Sequence, residues 1–270
     1  MTIFAKSFLA AVAALAAITS QALMLGVTEG VTYRASDAEI EAKFAPIAKA
    51  ISTATKQPVK ILVISSYNDL REALKQGQLD IAFIHPAHVS LEAIKAGGYK
   101  SAAWTSGFTD YKVSLLCKEA RPITAWSVVN GKGMVTPDAD SVTAVMTRAL
   151  LRENNVDTKT VNVQVTRFQD AVPFFVENKF ASYGATASDA VIKNWTEKGG
   201  KTCAQSRGLP IKHWLVSSKL DTGSTAAVRE SLLTMDQTEF GKRALTVSGY
   251  KGFTATDDAT EKVLIAWLGL

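Results

Sequence analysis

The chain has 270 residues, more than one typical domain needs, and its 47% hydrophobic and 20% charged residues are typical of a globular protein. The formal net charge of +5 is spread along the chain. We find no run of lysine and arginine of the kind that contacts nucleic acid, so the charge argues against a nucleic-acid partner.

The first 22 residues have the pattern of a secretory signal. Lys6 is their only charged residue, residues 8–18 are apolar, and the small residues Ser20 and Ala22 suit positions −3 and −1 of a cleavage site. The apolar stretch is shorter than the roughly 20 residues that span a bilayer. We therefore expect cleavage near Ala22 and a mature protein in the periplasm; an uncleaved N-terminal anchor is the alternative.

The next elements alternate between strand and helix. Residues 23–27 form a short apolar strand, Asp37 is predicted to cap a helix that runs to about Ala54, and a second strand runs from Val59 to Ile64. The helix from Tyr67 ends at Gly77, and the apolar run 79–84 is typical of a buried parallel strand. This βαβαβ order predicts a parallel sheet with right-handed crossovers.

Two histidines follow the third strand. His85-Pro86-Ala87-His88 breaks the strand before a new helical pattern begins at Val89. Ligands of open α/β sheets bind at the carboxyl ends of strands, so we expect His85 and His88 at a ligand-facing rim. A structural role and a weak metal site are the alternatives, and the second lacks an obvious carboxylate or cysteine partner.

Further elements are predicted along the rest of the chain. Strands are expected at 113–117, 134–136, 161–165, 180–185, 201–206 and 210–217, and helices at 142–154, 168–177, 225–235 and 261–270. Cys117 and Cys203 each lie in a predicted strand. The periplasm permits a disulfide between them, but the pairing depends on a Cα separation that spacing alone does not give.

The segment YNDLREALKQGQLDIAFIHPAHVSLEA resembles part of the periplasmic phosphate/phosphite/phosphonate-type solute-binding proteins of ABC importers. There an aromatic-led helix, a G-x-x-D-I-A strand and a proline-containing loop follow one another. The segments around residues 136–143, 166–186 and 246–257 are similar to later pieces of the same family, in the same order. The resemblance covers nearly all of residues 23–270.

This resemblance implies an α/β protein of the type II periplasmic binding fold, with two lobes and a cleft between them. Each lobe would hold a mainly parallel sheet flanked by helices, with its own core, and two crossing strands near Cys117 and Pro210 would form the hinge. We assign residues 23–111 and 216–270 to the first lobe and residues 112–215 to the second.

The resemblance also implies a set of cleft residues. The expected ligand contacts are Tyr33, His85 and His88 from the first lobe and Ser141, Thr143 and Arg167 from the second. Ser141 and Thr143 precede a helix whose N-terminus can hold an oxyanion, and a guanidinium group binds carboxylates or phosphonates in two parallel bonds. Asp138 and Asp140 place carboxylates in the same loop, which leaves open whether an oxyanion is excluded.

The expected function is capture of a small, phosphonate- or phosphate-like anion by hinge closure, for delivery to an ABC permease in the inner membrane. A periplasmic sensor of the same fold, signalling to a membrane receptor, is the alternative. No G-x-S-x-G, H-E-x-x-H, P-loop or G-x-G-x-x-G motif occurs, so we expect no enzymatic activity. We expect a monomer that needs no cofactor or metal ion.

Overall fold

The computed structural model describes residues 21–29, 35–118 and 122–270. The signal predicted over residues 1–22 lies outside these ranges except for its last two residues, and Tyr33 lies outside them as well. Within the described ranges, no helix is long and apolar enough to cross a membrane.

The described chain alternates strands and helices. The strands are β1 (Leu23–Thr28), β2 (Val59–Val63), β3 (Ile81–Ile84), β4 (Tyr99–Thr105), β5 (Ser114–Cys117), β6 (Gly133–Thr136), β7 (Asn162–Val165), β8 (Tyr183–Thr186), β9 (Lys201–Gln205), β10 (His213–Ser217) and β11 (Phe253–Thr254). The helices are α1 (Asp37–Thr55), α2 (Tyr67–Gln76), α3 (Ala87–Lys95), α4 (Val142–Glu153), α5 (Val172–Glu177), α6 (Asp189–Glu197), α7 (Thr222–Leu233), α8 (Glu239–Ser248) and α9 (Asp258–Leu268).

The first lobe is built on a sheet with the order β11-β4-β10-β3-β1-β2. β1 pairs in parallel with β2 and β3, as the βαβ pattern predicts, whereas β10 runs antiparallel to β3 and β4. Thr28 lies opposite Ile84 at the carboxyl ends of β1 and β3. The residues that follow these two strands, Glu29 and His85, are therefore neighbours at one edge of the sheet.

The second lobe is built on a sheet with the order β7-β6-β8-β5-β9. β6 pairs in parallel with β7 and β8, and β5 pairs antiparallel with β8 and β9. Two helix-flanked sheets confirm the predicted two-lobed α/β architecture. Each sheet is mixed, because β5 and β10, the strands that follow the two chain crossings, run antiparallel to the strands beside them.

Two segments, residues 106–113 and 206–212, carry the chain between the lobes. They pair with each other through Tyr111 and Leu209, whose backbone amides and carbonyls exchange hydrogen bonds of 3.0 and 2.9 Å. The predicted boundary after residue 111 falls in the first crossing. The predicted boundary after residue 215 falls inside β10, which lies wholly in the first sheet.

Helix α9 makes a third connection between the lobes. It follows β11 of the first lobe and packs against both α3 of the first lobe and α4 of the second. One hydrophobic cluster accordingly contains Leu91 of α3, Leu150 of α4, and Leu264 and Leu268 of α9. The lobes have further clusters of their own, but they share this one, which differs from the expectation of two separate cores.

A disulfide joins Cys117 at the end of β5 to Cys203 in β9. These strands are neighbours, and the two Cα atoms are 6.0 Å apart, within the range that a disulfide spans. Both cysteines are buried. The pairing that the sequence left open is therefore a crosslink within the second lobe.

Candidate functional site

A buried cluster of charges lies at the carboxyl end of β1. The side chain of Glu29 is 1% exposed, and its carboxylate contacts Nζ of Lys43 at 2.6 Å and Nζ of Lys212 at 3.1 Å. The hydroxyl of Tyr250 also donates to Glu29. Burial by itself would raise the pKa of Glu29, but the charge of Lys212 and the bonds from Lys43 and Tyr250 lower it. Two ammonium groups thus surround one carboxylate.

Lys212 brings this cluster to the hinge. It belongs to the second crossing segment, and its ammonium group lies 4.3 Å from the centroid of the Phe108 ring on the first crossing. Burial lowers the pKa of Lys212, although Glu29 beside it acts in the opposite direction. Among the described residues, the cluster that reaches the hinge thus holds two ammonium groups and one carboxylate.

His85 lies beside the same cluster. Its Nδ1 is 2.9 Å from the backbone oxygen of Glu29. A carbonyl only accepts, so Nδ1 carries the proton and Nε2 of the neutral ring is an acceptor. Burial, with a smaller contribution from the charge of Lys212, lowers the pKa of His85 to about 4. At neutral pH this imidazole is uncharged and offers an acceptor, not a positive charge.

The second lobe contributes hydroxyl and amide groups. The hydroxyl of Tyr111 is 3.0 Å from Oγ1 of Thr143, and Nε2 of Gln169 donates to Tyr111 at 3.5 Å. Oε1 of Gln169 accepts from Oγ1 of Thr186 and from the amide of Ala187. The parallel strands β6, β7 and β8 bring their carboxyl ends to one edge of the sheet. Thr186 is the last residue of β8, and Thr143 and Gln169 come after the ends of β6 and β7.

The N-terminus of α4 lies at this edge. Ser141 caps the helix by accepting a bond from the amide of Ala144, and its own amide donates to the carbonyl of Asp138. The amides of Val142 and Thr143 have no protein acceptor in the part of the chain that the structure describes. Free amides at the positive end of a helix are suited to binding an oxyanion.

Asp140 points away from this helix end and across the gap. Its carboxylate accepts two hydrogen bonds from the guanidinium group of Arg71, of 2.6 and 2.8 Å, and Arg71 belongs to α2 of the first lobe. Nε2 of His88 is 3.4 Å from the same carboxylate. Burial alone would raise the pKa of Asp140, but His88 and Arg71 lower it. The negative charge of Asp140 is thus balanced by the first lobe, whereas the Asp138 carboxylate accepts a hydrogen bond from the amide of Asp140 within the loop.

The sequence-predicted residues occupy different positions around the gap. His88 is fully buried in α3, with its ring edge-on to Tyr67 at 6.1 Å and its Nε2 facing Asp140. Thr143 is buried, and Ser141 is half-buried. Arg167 is exposed and its guanidinium group lies over the Phe168 ring at 5.1 Å; within the described chain it forms no ion pair.

Sequence reasoning missed several polar groups of the site. Glu29, Lys212, Tyr111 and Gln169 were not expected there, nor was Arg71 as the partner of Asp140. Gln169 follows the strand that led to Arg167, so the rule that strand ends line the cleft could have indicated it. Lys212 and Tyr111 come from the crossing segments, and only the paired geometry of these segments brings them to the gap.

A cavity of about 340 Å³ opens beside the crossings, but neither the charged cluster around Glu29 nor the N-terminus of α4 lines it. Phe108 and Tyr111 of the first crossing line it together with Ala187, which follows β8. In the part of the chain that the structure describes, no group of three His, Cys, Asp or Glu side chains is placed to hold a metal ion.

Solved structures with similar folds cover almost the whole chain. A Xanthomonas citri protein bound to ATP matches with 14% identity and a TM-score of 0.72, over 92% of this chain and 96% of that one. PhnD1 from Prochlorococcus marinus in complex with methylphosphonate matches with 14% identity and a TM-score of 0.64, over 91% and 96%. A binding protein component of a Pseudomonas aeruginosa ABC phosphonate transporter matches with 16% identity and a TM-score of 0.60, over 93% and 86%.

At these identities the likeness establishes the fold, which is the two-lobed fold predicted from the sequence. Residues 30–260 match the family model described as "ABC transporter, phosphonate, periplasmic substrate-binding protein". This match covers most of the chain, including both lobes and both crossings. The chain therefore belongs to the family of periplasmic substrate-binding proteins of phosphonate ABC transporters, which bind solutes and are not enzymes.

Proposed function

We propose that the protein captures a small phosphonate- or phosphate-like anion between its lobes and delivers it to the permease of an ABC importer. The observation that carries the proposal is that each lobe presents anion-binding groups at the edge of its sheet. The first lobe and hinge supply a surplus of positive charge around Lys212 and Lys43, and the second lobe supplies the free amides of α4 with nearby hydroxyl groups. Together these groups suit a tetrahedral oxyanion.

Each side has a distinct role in this proposal. The amides of Val142 and Thr143, with the hydroxyl groups of Ser141 and Thr143, hold the charged oxygens of the ligand. His85, neutral with an acceptor at Nε2, accepts a bond from a protonated ligand oxygen. A phosphonate or phosphate monoanion presents both kinds of oxygen, whereas a sulfonate or sulfate has no proton to donate at neutral pH.

The remaining predicted contacts are Tyr33, His88 and Arg167. Tyr33 lies outside the described residues and stays a predicted contact. His88 would act through Asp140, which it faces at 3.4 Å. Arg167 would have to leave its position over Phe168 to reach a ligand. We therefore assign the compensating charge to Lys212 and Lys43, and Arg167 stays a predicted contact.

Binding is tested by calorimetry and thermal shift with methylphosphonate, phosphate, sulfate, acetate and glycine. Tight ligands raise the melting temperature because they bind only the folded state. We expect methylphosphonate or phosphate to give the largest shift and sulfate to give little or none. Equal, weak responses to all five probes, or a preference for glycine, would contradict the proposal.

Thr143→Val tests the second-lobe edge, because valine keeps the shape of threonine and removes the hydroxyl group. We expect about a tenfold loss of affinity for the best anion, corresponding to roughly 1.4 kcal/mol for one lost hydrogen bond. Thr147→Val is the matched control. Thr147 is as buried as Thr143, and its hydroxyl donates only to the backbone oxygen of Thr143 at 2.7 Å. Equal losses in both variants would remove Thr143 from the site.

Import is tested by uptake of the best anion at low concentration in cells with and without the gene. We expect deletion to abolish uptake. The sensor alternative predicts unchanged uptake through a separate importer and loss of a transcriptional response to the same anion.

A further inference from the structure

The bond between Arg71 and Asp140 connects the two lobes directly. Arg71 lies on α2 of the first lobe, and Asp140 immediately precedes the cap residue of α4 in the second. Among the ion pairs of the described residues, those of Asp140 are the ones that join a helix of the first lobe to the second lobe. The two hydrogen bonds form a bidentate arrangement, the strongest geometry for this pair of groups.

Two further residues support this contact from the first lobe. Oε2 of Glu92, on α3, accepts from Nε of Arg71 at 2.8 Å and so fixes the plane of the guanidinium group. His88, also on α3, approaches the Asp140 carboxylate from another side. The side chains of Arg71 and Asp140 are 30% and 42% exposed, so water screens the pair only in part. The groups that contact the Asp140 carboxylate thus come from α2 and α3, and Arg71 has a partner, Glu92, within the first lobe.

We propose that Arg71 and Asp140 form a latch that favours the closed arrangement of the lobes and thereby raises ligand affinity without touching the ligand. The proposal rests on the function proposed above, since it assumes that a solute enters when the lobes separate. Because each lobe holds one partner, an opening that moves α2 away from the N-terminus of α4 breaks the latch. A contact made only in the closed state shifts the equilibrium toward that state, and the apparent affinity of a ligand that needs the closed state rises with its population.

The position of Asp140 makes this role specific. Asp140 adjoins the helix end that is proposed to hold the oxyanion, so closure moves the α4 amides and the latch as one unit. When Arg71 binds the Asp140 carboxylate, the positive guanidinium group also offsets a negative charge that would otherwise repel the bound anion. Arg71 is therefore a positioning residue that acts through Asp140.

The test measures the dissociation constant and dissociation rate of methylphosphonate for the wild type, Arg71→Met, Asp140→Asn and the double variant. We expect each single variant to weaken binding about three- to tenfold, mainly through faster dissociation, because the latch holds the closed state. The double variant should be no weaker than the single variants, since the pair is already broken in each. Arg71→Lys, which keeps the charge but not the bidentate geometry, should recover part of the affinity.

Lys242→Met is the control, because Lys242 pairs with Glu239 at 3.0 Å within one exposed helix and joins no lobes. It should leave methylphosphonate binding unchanged. Unchanged affinity in both single variants, additive losses in the double variant, or tighter binding by Asp140→Asn would overturn the latch. Tighter binding would mean that the Asp140 charge mainly repels the anion.

Small-angle X-ray scattering of the ligand-free proteins separates this proposal from the proposed function. We expect a larger radius of gyration in Arg71→Met and Asp140→Asn than in the wild type and Lys242→Met, whatever the natural ligand is. If methylphosphonate does not bind the wild type, the proposed ligand class is wrong while the scattering still decides the latch. Identical radii in all four proteins would overturn it.

Discussion

His85 illustrates how its surroundings determine the chemistry of a single side chain. The sequence placed it correctly at the end of a strand, where the structure has it, but its protonation state depends on neighbours far away in the chain. Lys212 and Glu29 reach it only after folding, and burial is the largest cause of its lowered pKa. Near pH 6 a histidine with the ordinary pKa of 6.5 is mostly protonated, whereas His85 in the folded protein is neutral and offers an acceptor.

This predicts a pH dependence of stability that belongs to His85. In the unfolded chain a histidine takes up a proton near pH 6.5, whereas in the folded protein His85 does so only near pH 4. Between these values the unfolded state binds more protons, so the free energy of unfolding falls as pH falls from 6.5 to 4. The contribution of His85 is at most about 3.5 kcal/mol over this interval, since one pKa unit corresponds to about 1.4 kcal/mol.

His85→Asn, which keeps a donor for the Glu29 carbonyl, should remove this part of the slope. Urea unfolding at pH 7, 6, 5 and 4 measures the difference between the variant and the wild type. His213 is also buried with a lowered pKa, so the wild type and the variant share its contribution and the difference isolates His85. Parallel curves for the two proteins would show that His85 is equally easy to protonate in the folded and unfolded states.

Lys212 and Arg167 show the limit of reading a site from single residues. Arg167 carries an obvious anion-binding group at the end of a predicted strand, yet it is exposed at the edge of the second sheet. Lys212 stands in an unremarkable stretch between two strands, and its role depends on the crossing that brings it against Glu29 and Phe108. Residue type alone therefore does not place a charged group at the hinge, because the path of the chain brings Lys212 there and leaves Arg167 exposed.

At the scale of elements, short sequence patterns predicted the features that depend on neighbouring residues, such as helix ends and the strands of the first lobe. Gly77 ends α2 with a positive φ of 68°, as its position indicated. The start of α1 is one residue earlier than expected, because Ser36 and Glu39 form a capping box that makes Ser36, not Asp37, the cap. Periodic apolar patterns likewise predicted the strands and helices of the first βαβαβ unit.

Strand β4 was not predicted, because what identifies it as a buried strand is contact with a distant part of the chain and not its own sequence pattern. Its sequence, YKSAAWT, has small and polar residues where a buried strand usually has large apolar ones. Ser101 is nevertheless buried, because its hydroxyl meets the ring of His213 on β10, and Trp104 stacks on the same ring at 3.4 Å. A histidine more than a hundred residues away thus completes the environment of this strand.

The crosslink between β5 and β9 supports a prediction about the second lobe. The disulfide closes a loop with a sequence separation of 86 residues, and removing a link of this size typically costs about 2–4 kcal/mol. Cys117→Ala with Cys203→Ala should lower the free energy of unfolding by that amount, measured in urea. Anion affinity should stay unchanged, because neither cysteine lines the gap. The wild type with and without dithiothreitol is the control, and the double variant should not respond to the reductant.

At the scale of the whole molecule, the lobes are less independent than the two-lobe pattern suggested. The sequence indicated two crossings, and both exist, but α9 adds a third link that periodicity could not assign to either lobe. Arg152 of α4 donates to the carbonyl of Leu268 at 2.6 Å, which holds the C-terminal end of α9 against the second lobe. At the other side Lys95 of α3 donates to the backbone oxygen of Leu270.

Because α9 belongs to both lobes, its apolar face should couple their stability. Leu268 is 2% exposed within the cluster that contains residues of α3 and α4, whereas Val263 on the same helix is 56% exposed. Leu268→Ala should lower the free energy of unfolding by about 2–5 kcal/mol, the cost of a cavity in a packed core. Val263→Ala, the matched control, should change it by less than about 0.5 kcal/mol.

Hydrogen exchange measured by mass spectrometry locates the effect of Leu268→Ala. If α9 joins the lobes, the amides of β4 in the first lobe and of β6 and β8 in the second should lose protection together, because residues of all three strands belong to the cluster that contains Leu268. Loss of protection confined to β4 would mean that α9 belongs to the first lobe alone. In that case the two crossings would be the whole hinge, and the lobes would open without disturbing a common core.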